Sequence, residues 1–232
     1  MNNIRILAIE TSCRTFSAAL CENGAVKAEL IVDAGLRHAE LLKENCLFLF
    51  KQTGWTKEQI QGIAVGTGPG SFTGLRVGIS FARALAQAMR VPLVGVMSPE
   101  IIACGLGAAN PRCIITESTG GNVFAGFFKA GRFLPSENYK IISLDLLCAK
   151  LARGGQFVCA GDGFLKDEIT IRKALGPRLL ACEYEQNFPR AGILGKIASE
   201  RFDWSKLRAD SWKKVEPCYL RPPIAVERLR KK

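Results

Sequence analysis

The chain has 232 residues, of which 48% are hydrophobic and 23% charged, and its formal net charge is +11. This composition predicts a globular protein with a substantial core and excludes a disordered or fibrous chain. No apolar run approaches the roughly 20 residues that cross a bilayer, and the short run at residues 6–9 cannot form a signal-peptide core. We therefore expect a cytoplasmic protein without a membrane segment.

The positive charge is concentrated near the C-terminus. Residues 188–232 hold 12 Lys or Arg and 5 Asp or Glu, an excess of 7, whereas residues 1–187 hold 20 and 16, an excess of 4. A basic region of this kind meets tRNA phosphates or an acidic partner, or is simply a solvated face. Charge alone does not separate these hypotheses.

Cysteine and histidine usage excludes most metal centres. The nine cysteines are odd in number and include no Cys-x-x-Cys pair, so we expect reduced, buried thiols and no zinc. His38 is the only histidine, which excludes a site built on two imidazoles. No serine follows His38 until Ser71, so we assign His38 to a helix start or an interface rather than to catalysis.

The first half opens with three predicted strands, at residues 4–9, 16–21 and 25–32. Asn23-Gly24 separates the second from the third, and this dipeptide between apolar runs is a strong hairpin signal. A helix is predicted over residues 36–53, closed by Gly54. The protein is therefore expected to begin with an antiparallel meander followed by a helix.

The predicted helix at 36–53 has apolar residues on two faces. Its predicted inner face carries Leu41, Leu42, Cys46, Phe48 and Leu49. Its outer face carries charged residues together with Leu47 and Phe50. These two side chains indicate either a second buried surface, and hence a partner, or ordinary exposure.

A β-α-β unit follows, with a strand at 62–66, a helix at 74–90 and a strand at 93–96. Between the first strand and the helix lies the loop Gly66-Thr67-Gly68-Pro69-Gly70-Ser71-Phe72-Thr73-Gly74. Glycines before a helix N-terminus let backbone N–H groups approach an anion. The loop matches neither a P-loop, a dinucleotide fingerprint nor a nucleophile elbow. From its residues it is either an anion site or a tight turn that seats the helix.

The second half repeats the alternation of strands and helices after a linker at 105–111. We predict strands at 113–116, 123–128, 140–142 and 156–160, a helix after Ser143 and a long helix at 190–207. The sequence therefore predicts two α/β subdomains, at residues 1–104 and 105–232.

Three polar turns follow predicted strands and are candidates for a cleft. Glu10-Thr11-Ser12 offers a carboxylate for metal-bound water and two hydroxyls, and with Gly68 and Gly70 it makes a weak candidate phosphate site. Glu117-Ser118-Thr119 and Gly161-Asp162-Gly163 stand in similar positions in the second half. All three are equally explained as ordinary turns.

Four segments resemble the TsaB (YeaZ) family in their order along the chain. They are Ile-Glu-Thr-Ser at 9–12, Arg-His-Ala-Glu-Leu-Leu at 37–42, the glycine segment through Gly78, and Pro-Leu-Val-Gly-Val at 92–96. The end at 219–222 is similar to that family's tail. The resemblance is dense over residues 4–100 and thin beyond them. At 117–119 this chain has Glu-Ser-Thr where family members often have Asp-Ala-Arg.

This resemblance implies the actin-like ATPase superfamily fold of the sugar-kinase and actin type, with two ribonuclease H-like subdomains. It also implies a non-catalytic subunit that pairs with TsaD, the enzyme that transfers threonylcarbamoyl to the adenosine beside the tRNA anticodon. A small ATPase, TsaE, joins the assembly. ATP and a metal ion are implied for these partners, with no cofactor or metal for this chain, and tRNA is met through the complex.

The resemblance places the partner surface on the helices at 36–53 and 74–90, so we expect Leu47, Phe50, Arg76, Ile79 and Arg83 to contact TsaD. Alone, the chain is a monomer or a homodimer through the same helices. Two alternatives stay open. One is a small-molecule kinase of the same fold, and the other is a free-standing tRNA-binding module.

Overall fold

The computed structural model describes residues 3–35, 37–118, 120–135 and 139–220. The first half forms the strands β1 (Arg5–Glu10), β2 (Thr15–Glu22), β3 (Ala25–Asp33), β4 (Gly62–Gly66) and β5 (Leu93–Val96). Its helices are α1 (His38–Thr53), α2 (Phe72–Met89) and α3 (Ser98–Gly105). The strands make one sheet in the order β3-β2-β1-β4-β5, in which β1, β2 and β3 are antiparallel and β4 and β5 run parallel to β1.

The second half repeats this arrangement. Its strands are β6 (Arg112–Glu117), β7 (Asn122–Phe128), β8 (Lys140–Ser143), β9 (Phe157–Ala160) and β10 (Leu179–Leu180). They form a sheet in the order β8-β7-β6-β9-β10 with the same pattern of parallel and antiparallel pairs. The helices are α4 (Leu144–Ala152), α5 (Asp162–Lys166), α6 (Glu168–Leu175) and α7 (Ala191–Arg201). The predicted fold class, two ribonuclease H-like α/β subdomains, is confirmed.

Local signals place the turns and helix starts. Asn23 and Gly24 both have positive φ, as the two central residues of a tight hairpin turn require. The Ser71 hydroxyl accepts a hydrogen bond from Gly74 N and caps α2, which therefore begins at Phe72, two residues before the predicted start. The helix predicted from residue 36 begins at His38, and Leu36 lies outside the described residues.

The helix predicted at 190–207 is shorter than expected. It ends at Arg201, because Phe202 adopts an extended backbone. Beyond that point the indole N–H of Trp204 donates to the Ala198 carbonyl, one of the last carbonyls of the helix. The Trp204 side chain thus binds a carbonyl at the C-terminal end of the helix, beyond which the backbone is no longer helical.

The chain returns to the first sheet after residue 190. Leu194 and Ala198 of α7 are buried against Ile6 and Ala8 of β1. Further along, Cys218 N donates to the Thr67 carbonyl. The assignment of all of 105–232 to the second subdomain is therefore wrong for residues 191–218. The physical reason is that β1 has apolar side chains on both faces; α1 and α2 cover one of them, and the other requires α7.

Among the described residues, no helix combines the length and apolar character needed to cross a bilayer. The longest helix, α2, has 18 residues and carries Arg76 and Arg83.

The cover that α7 provides can be tested by Leu194→Ala. Leu194 is fully buried, so the substitution should lower the free energy of unfolding by about 2–5 kcal/mol. Ile169→Ala is the matched control, because Ile169 is 86% exposed on α6, and it should change stability by less than about 0.5 kcal/mol. Urea unfolding checks both; equal effects would contradict the placement of α7.

Candidate functional site

The turn after β1 packs directly on the glycine loop. Glu10 Oε1 accepts a hydrogen bond from Ser12 N at 2.6 Å, and Glu10 Oε2 accepts one from the Ser98 hydroxyl at 3.1 Å. The Ser98 hydroxyl in turn accepts from Gly68 N at 3.2 Å. Ser71 N donates to the Ser12 carbonyl at 2.6 Å. The carboxylate therefore joins β1, the loop and the start of α3 in one hydrogen-bonded network.

Glycines make this close approach possible. A Cβ atom at Gly66 would lie 1.8 Å from Glu10 Oε2, one at Gly70 would lie 2.1 Å from the Ser12 carbonyl oxygen, and one at Gly74 would lie 2.1 Å from the Thr11 carbonyl oxygen. All three contacts are far inside van der Waals distance, so no side chain fits at these positions. The absence of side chains at these loop glycines leaves room for the turn at residues 10–12.

The predicted phosphate-binding groups thus contact one another. Glu10 and Thr11 have no exposed surface, Ser12 is 2% exposed, and Gly68 is buried as well. The Thr11 hydroxyl donates to the Gly74 carbonyl at 2.8 Å. Of the predicted set, Gly70 is partly exposed. In this arrangement an anion would have to displace existing hydrogen bonds before it reached these groups.

The electrostatics of the turn follow from burial. Burial raises the pKa of Glu10, and its hydrogen-bond donors are a backbone amide and a hydroxyl, which only partly offset that effect. Burial also raises the pKa of the Cys13 thiol to about 12, and the negative charges of Glu10 and Asp162 add to the shift. Cys13 therefore lies within the fields of both carboxylates and is held as a neutral thiol.

The two polar turns of the second half meet each other. Asp162 Oδ1 accepts hydrogen bonds from Glu117 N and from Gly163 N, both at 2.8 Å. Burial raises the pKa of the Asp162 carboxyl. Lys166 pairs with Glu117 at the surface. Thr119 lies outside the described residues. The sequence indicated two separate turns, and only the pairing of β6 with β9 brings them together.

His38 stands at the first position of α1, as predicted, and is 4% exposed. Burial lowers the pKa of its imidazole, and the nearby Cys13 backbone opposes that shift. Among the described residues, no group of three or more His, Cys, Asp or Glu side chains is arranged to hold a metal ion.

The exposed apolar residues of α1 differ from the predicted ones at one position. Leu47 is 57% exposed, as expected, but the second exposed apolar residue is Phe48, at 48%. Phe50, which was predicted to be exposed, packs against the core formed by Leu42 and Leu49. β2, β3 and α2 pack on α1, whose buried stripe is His38, Leu42, Cys46 and Leu49. Phe50 borders this stripe one turn after Cys46, whereas Phe48 does not.

The three α2 residues of the predicted partner surface differ in their exposure. Arg76 and Arg83 line a surface groove of about 450 Å³ that Glu216 and Tyr219 close on the other side. Arg76 Nε donates to the Tyr219 hydroxyl at 3.1 Å. Ile79 lines the same groove, but it is only 3% exposed and packs in the core beneath the helix, so the expectation that it is a surface residue is corrected.

The chain is similar in sequence to TsaD and TsaB proteins. Residues 32–131 match the model of TsaD, the tRNA N6-adenosine threonylcarbamoyltransferase. Across 97% of this chain and 98% of the relative, the sequence is 28% identical to the tRNA threonylcarbamoyladenosine biosynthesis protein TsaB of Escherichia coli. The Bacillus subtilis TsaB is 30% identical over 53% of this chain and 55% of its own length.

The similarity to the transferase itself is partial. The tRNA N6-adenosine threonylcarbamoyltransferase of Caldicellulosiruptor bescii is 36% identical, but over 39% of this chain and 32% of its own length. In structure, YeaZ from Pseudomonas aeruginosa superposes with a TM-score of 0.72 at 22% identity, covering 94% of this chain and 100% of YeaZ. A second Pseudomonas aeruginosa structure, described as similar to peptidase YEAZ, gives a TM-score of 0.76 at 21% identity over 94% of this chain and 100% of its own.

The close packing at the glycine loop predicts that Gly74→Ala destabilises the protein. Alanine in a helix is normally favoured over glycine by about 1 kcal/mol. Here the added methyl group meets the Thr11 carbonyl, and we expect a net loss of about 1–3 kcal/mol. Gly155→Ala is the control, because a Cβ there has no neighbour within 4 Å. Thermal unfolding of both variants checks this, and a more stable Gly74→Ala protein would refute it.

The raised pKa of Glu10 predicts that the stability of the protein depends on pH. Its folded pKa is raised, so the native state holds a proton that the unfolded state has released, and this group's contribution to stability is lost as pH rises above its unfolded pKa. Glu10→Gln should therefore gain stability relative to the natural chain as the pH rises above the unfolded pKa of a glutamate, about 4.3. Urea unfolding at a series of pH values above and below that point, with Glu44→Gln on the exposed side of α1 as the control, measures the difference; a constant difference would contradict a raised pKa.

Proposed function

Because the chain belongs to the TsaB (YeaZ) family, we propose that it acts in the biosynthesis of threonylcarbamoyladenosine in tRNA. The observation that carries this proposal is the match to the Escherichia coli TsaB along nearly the whole of both chains. We expect this biosynthesis to take place in the cytoplasm.

Within that process, we propose a non-catalytic role as the partner of the transferase TsaD. Three features support it. The likeness to the transferase is confined to a part of the chain. The polar groups at the turn after β1 are occupied by hydrogen bonds to one another. His38 is the only histidine, whereas the resemblance gives the transferase a metal held by a histidine pair. ATP and the metal then belong to TsaD and TsaE.

The docking surface that we propose lies on α1 and α2. Leu47 and Phe48 present apolar surface on α1. Arg76 and Arg83 line the groove on α2. Exposed aromatic residues and arginines are both enriched in protein interfaces, where they carry much of the binding energy. TsaE and tRNA join through the assembled pair.

The direct test is to assay the chain alone, TsaD alone and their mixture with tRNA, TsaE and threonylcarbamoyl-adenylate. We expect modified adenosine, detected by nucleoside mass spectrometry, in the mixture and not in either single component. Modification at the same rate by TsaD without this chain would overturn the partner role. ATP-dependent phosphorylation of a small molecule by the chain alone would instead favour the kinase hypothesis.

The docking surface is tested by the double variant Leu47→Asp/Phe48→Asp. Two charges in an apolar interface core lose their hydration without gaining a partner, so we expect co-purification with TsaD to be lost and modification to fall to the level of TsaD alone. Ile169→Asp is the control, because Ile169 is equally apolar but lies on α6 in the second half. Association that survives the double variant would place the interface elsewhere.

A further inference from the structure

A second pocket lies in the second half of the molecule, away from the glycine loop. It has a volume of about 410 Å³, within the roughly 300–1,000 Å³ range of ligand pockets. It opens where β6 and β9 begin, whereas the Glu117 and Asp162 turns stand where those strands end. It is therefore separate from the candidate site described above, and none of the functions discussed so far uses it.

Aromatic and aliphatic side chains line this pocket. Phe127 at the end of β7, Leu151 of α4 and Phe157 of β9 form its walls. Phe157 is partly exposed and leans on the backbone of Gly154, where a Cβ atom would lie 2.7 Å from the ring. The rings are thus held in place by the chain around them and present an apolar cleft rather than a mobile patch.

Three cations stand around this apolar cleft. Lys129 follows β7, Lys150 lies on the last turn of α4, and Arg153 caps that helix; all three are exposed. The Lys150 ammonium lies 4.0 Å from the centre of the Phe127 ring. Within the described part of the chain, neither Lys129 nor Arg153 forms an ion pair, and no acidic residue lines the pocket.

We propose that this pocket binds an unpaired nucleotide of RNA, with the base in the apolar cleft and the flanking phosphates on Lys129, Lys150 and Arg153. Aromatic side chains beside a line of cations are the combination that single-stranded nucleic acid recognises. The lining holds three cations and no acidic residue, and such a cluster attracts a chain of phosphates. Given the proposed function, on which this inference rests, the RNA is the tRNA substrate.

The first test measures the binding of an unmodified tRNA transcript, by the chain alone and with TsaD, over a range of salt concentrations. The double variant Lys129→Ala/Arg153→Ala removes two phosphate contacts. It should weaken binding about tenfold at low salt and lower the slope of log Kd against log salt by roughly 1.4, since each single-strand phosphate contributes about 0.7. Lys57→Ala, an exposed lysine of the first half that neighbours Glu58, is the matched control and should leave both quantities unchanged.

The second test addresses the pocket itself. Ala130→Glu places a carboxylate on an exposed lining position and should weaken binding to the same extent without altering thermal stability. A single-stranded oligonucleotide should compete with tRNA for the pocket, and a blunt RNA duplex with the same number of phosphates should not. Ultraviolet cross-linking should attach RNA to the peptide that contains Phe157.

The outcomes separate this inference from the proposed function. Equal competition by duplex and single strand, unchanged binding by both pocket variants, or the absence of RNA binding by the chain and its TsaD mixture would each overturn it. Competition by polyglutamate but not by RNA would also overturn it and indicate an acidic protein partner. If the wild-type chain stimulates TsaD while the pocket test fails, this inference alone falls; if the pocket binds RNA but TsaD is not stimulated, the proposed function falls.

Discussion

The arrangement of the first half depends on the close approach of the turn at 10–12 to the glycine loop. Three loop glycines lie where any side chain would overlap Glu10, Thr11 or Ser12. That contact sets the distance between β1 and the N-terminus of α2, and through the Ser98 hydroxyl it also sets the start of α3. A rigid seat for α2 is a requirement for any surface built on that helix. The glycines therefore position α2, and the amides of Gly68 and Gly74 donate to the Ser98 and Ser71 hydroxyls.

Burial governs the chemistry of the polar groups at the ends of β1, β6 and β9. Glu10 and Asp162 both accept backbone N–H groups and both have a raised pKa because the surrounding protein disfavours their charged forms. Cys13 lies within reach of both charges. The hydrogen bonds of these carboxyl groups hold the turns in place. Removing one of the carboxyl groups would leave its backbone N–H donors buried without an acceptor. An incoming anion would have to displace these hydrogen bonds.

The surfaces that remain for partners are chemically distinct and lie on different halves. The first half presents Leu47 and Phe48 on α1 and an arginine-lined groove on α2, which suit a protein. The pocket at the start of β6 and β9 combines phenylalanine walls with cations, which suits a nucleotide. In between, α7 crosses back to the first sheet and ties the second half of the chain to the first. In the role proposed for this chain, the first half contacts the transferase and the second half contacts RNA.

Local patterns alone determined much of this protein. The strands at 62–66 and 93–96, the Asn23-Gly24 hairpin, the Ser143-capped helix and the two-subdomain class follow from apolar runs, turn residues and caps, which act over a few neighbouring positions. Only the tertiary structure decided which side of α1 is exposed, because the apolar periodicity of a helix does not fix its rotation about its own axis. It also decided that Ile79 is core, that α7 serves the first sheet, and that residues near 129, 152 and 157 share one pocket. These facts depend on contacts between residues far apart in sequence, and no local pattern encodes such contacts.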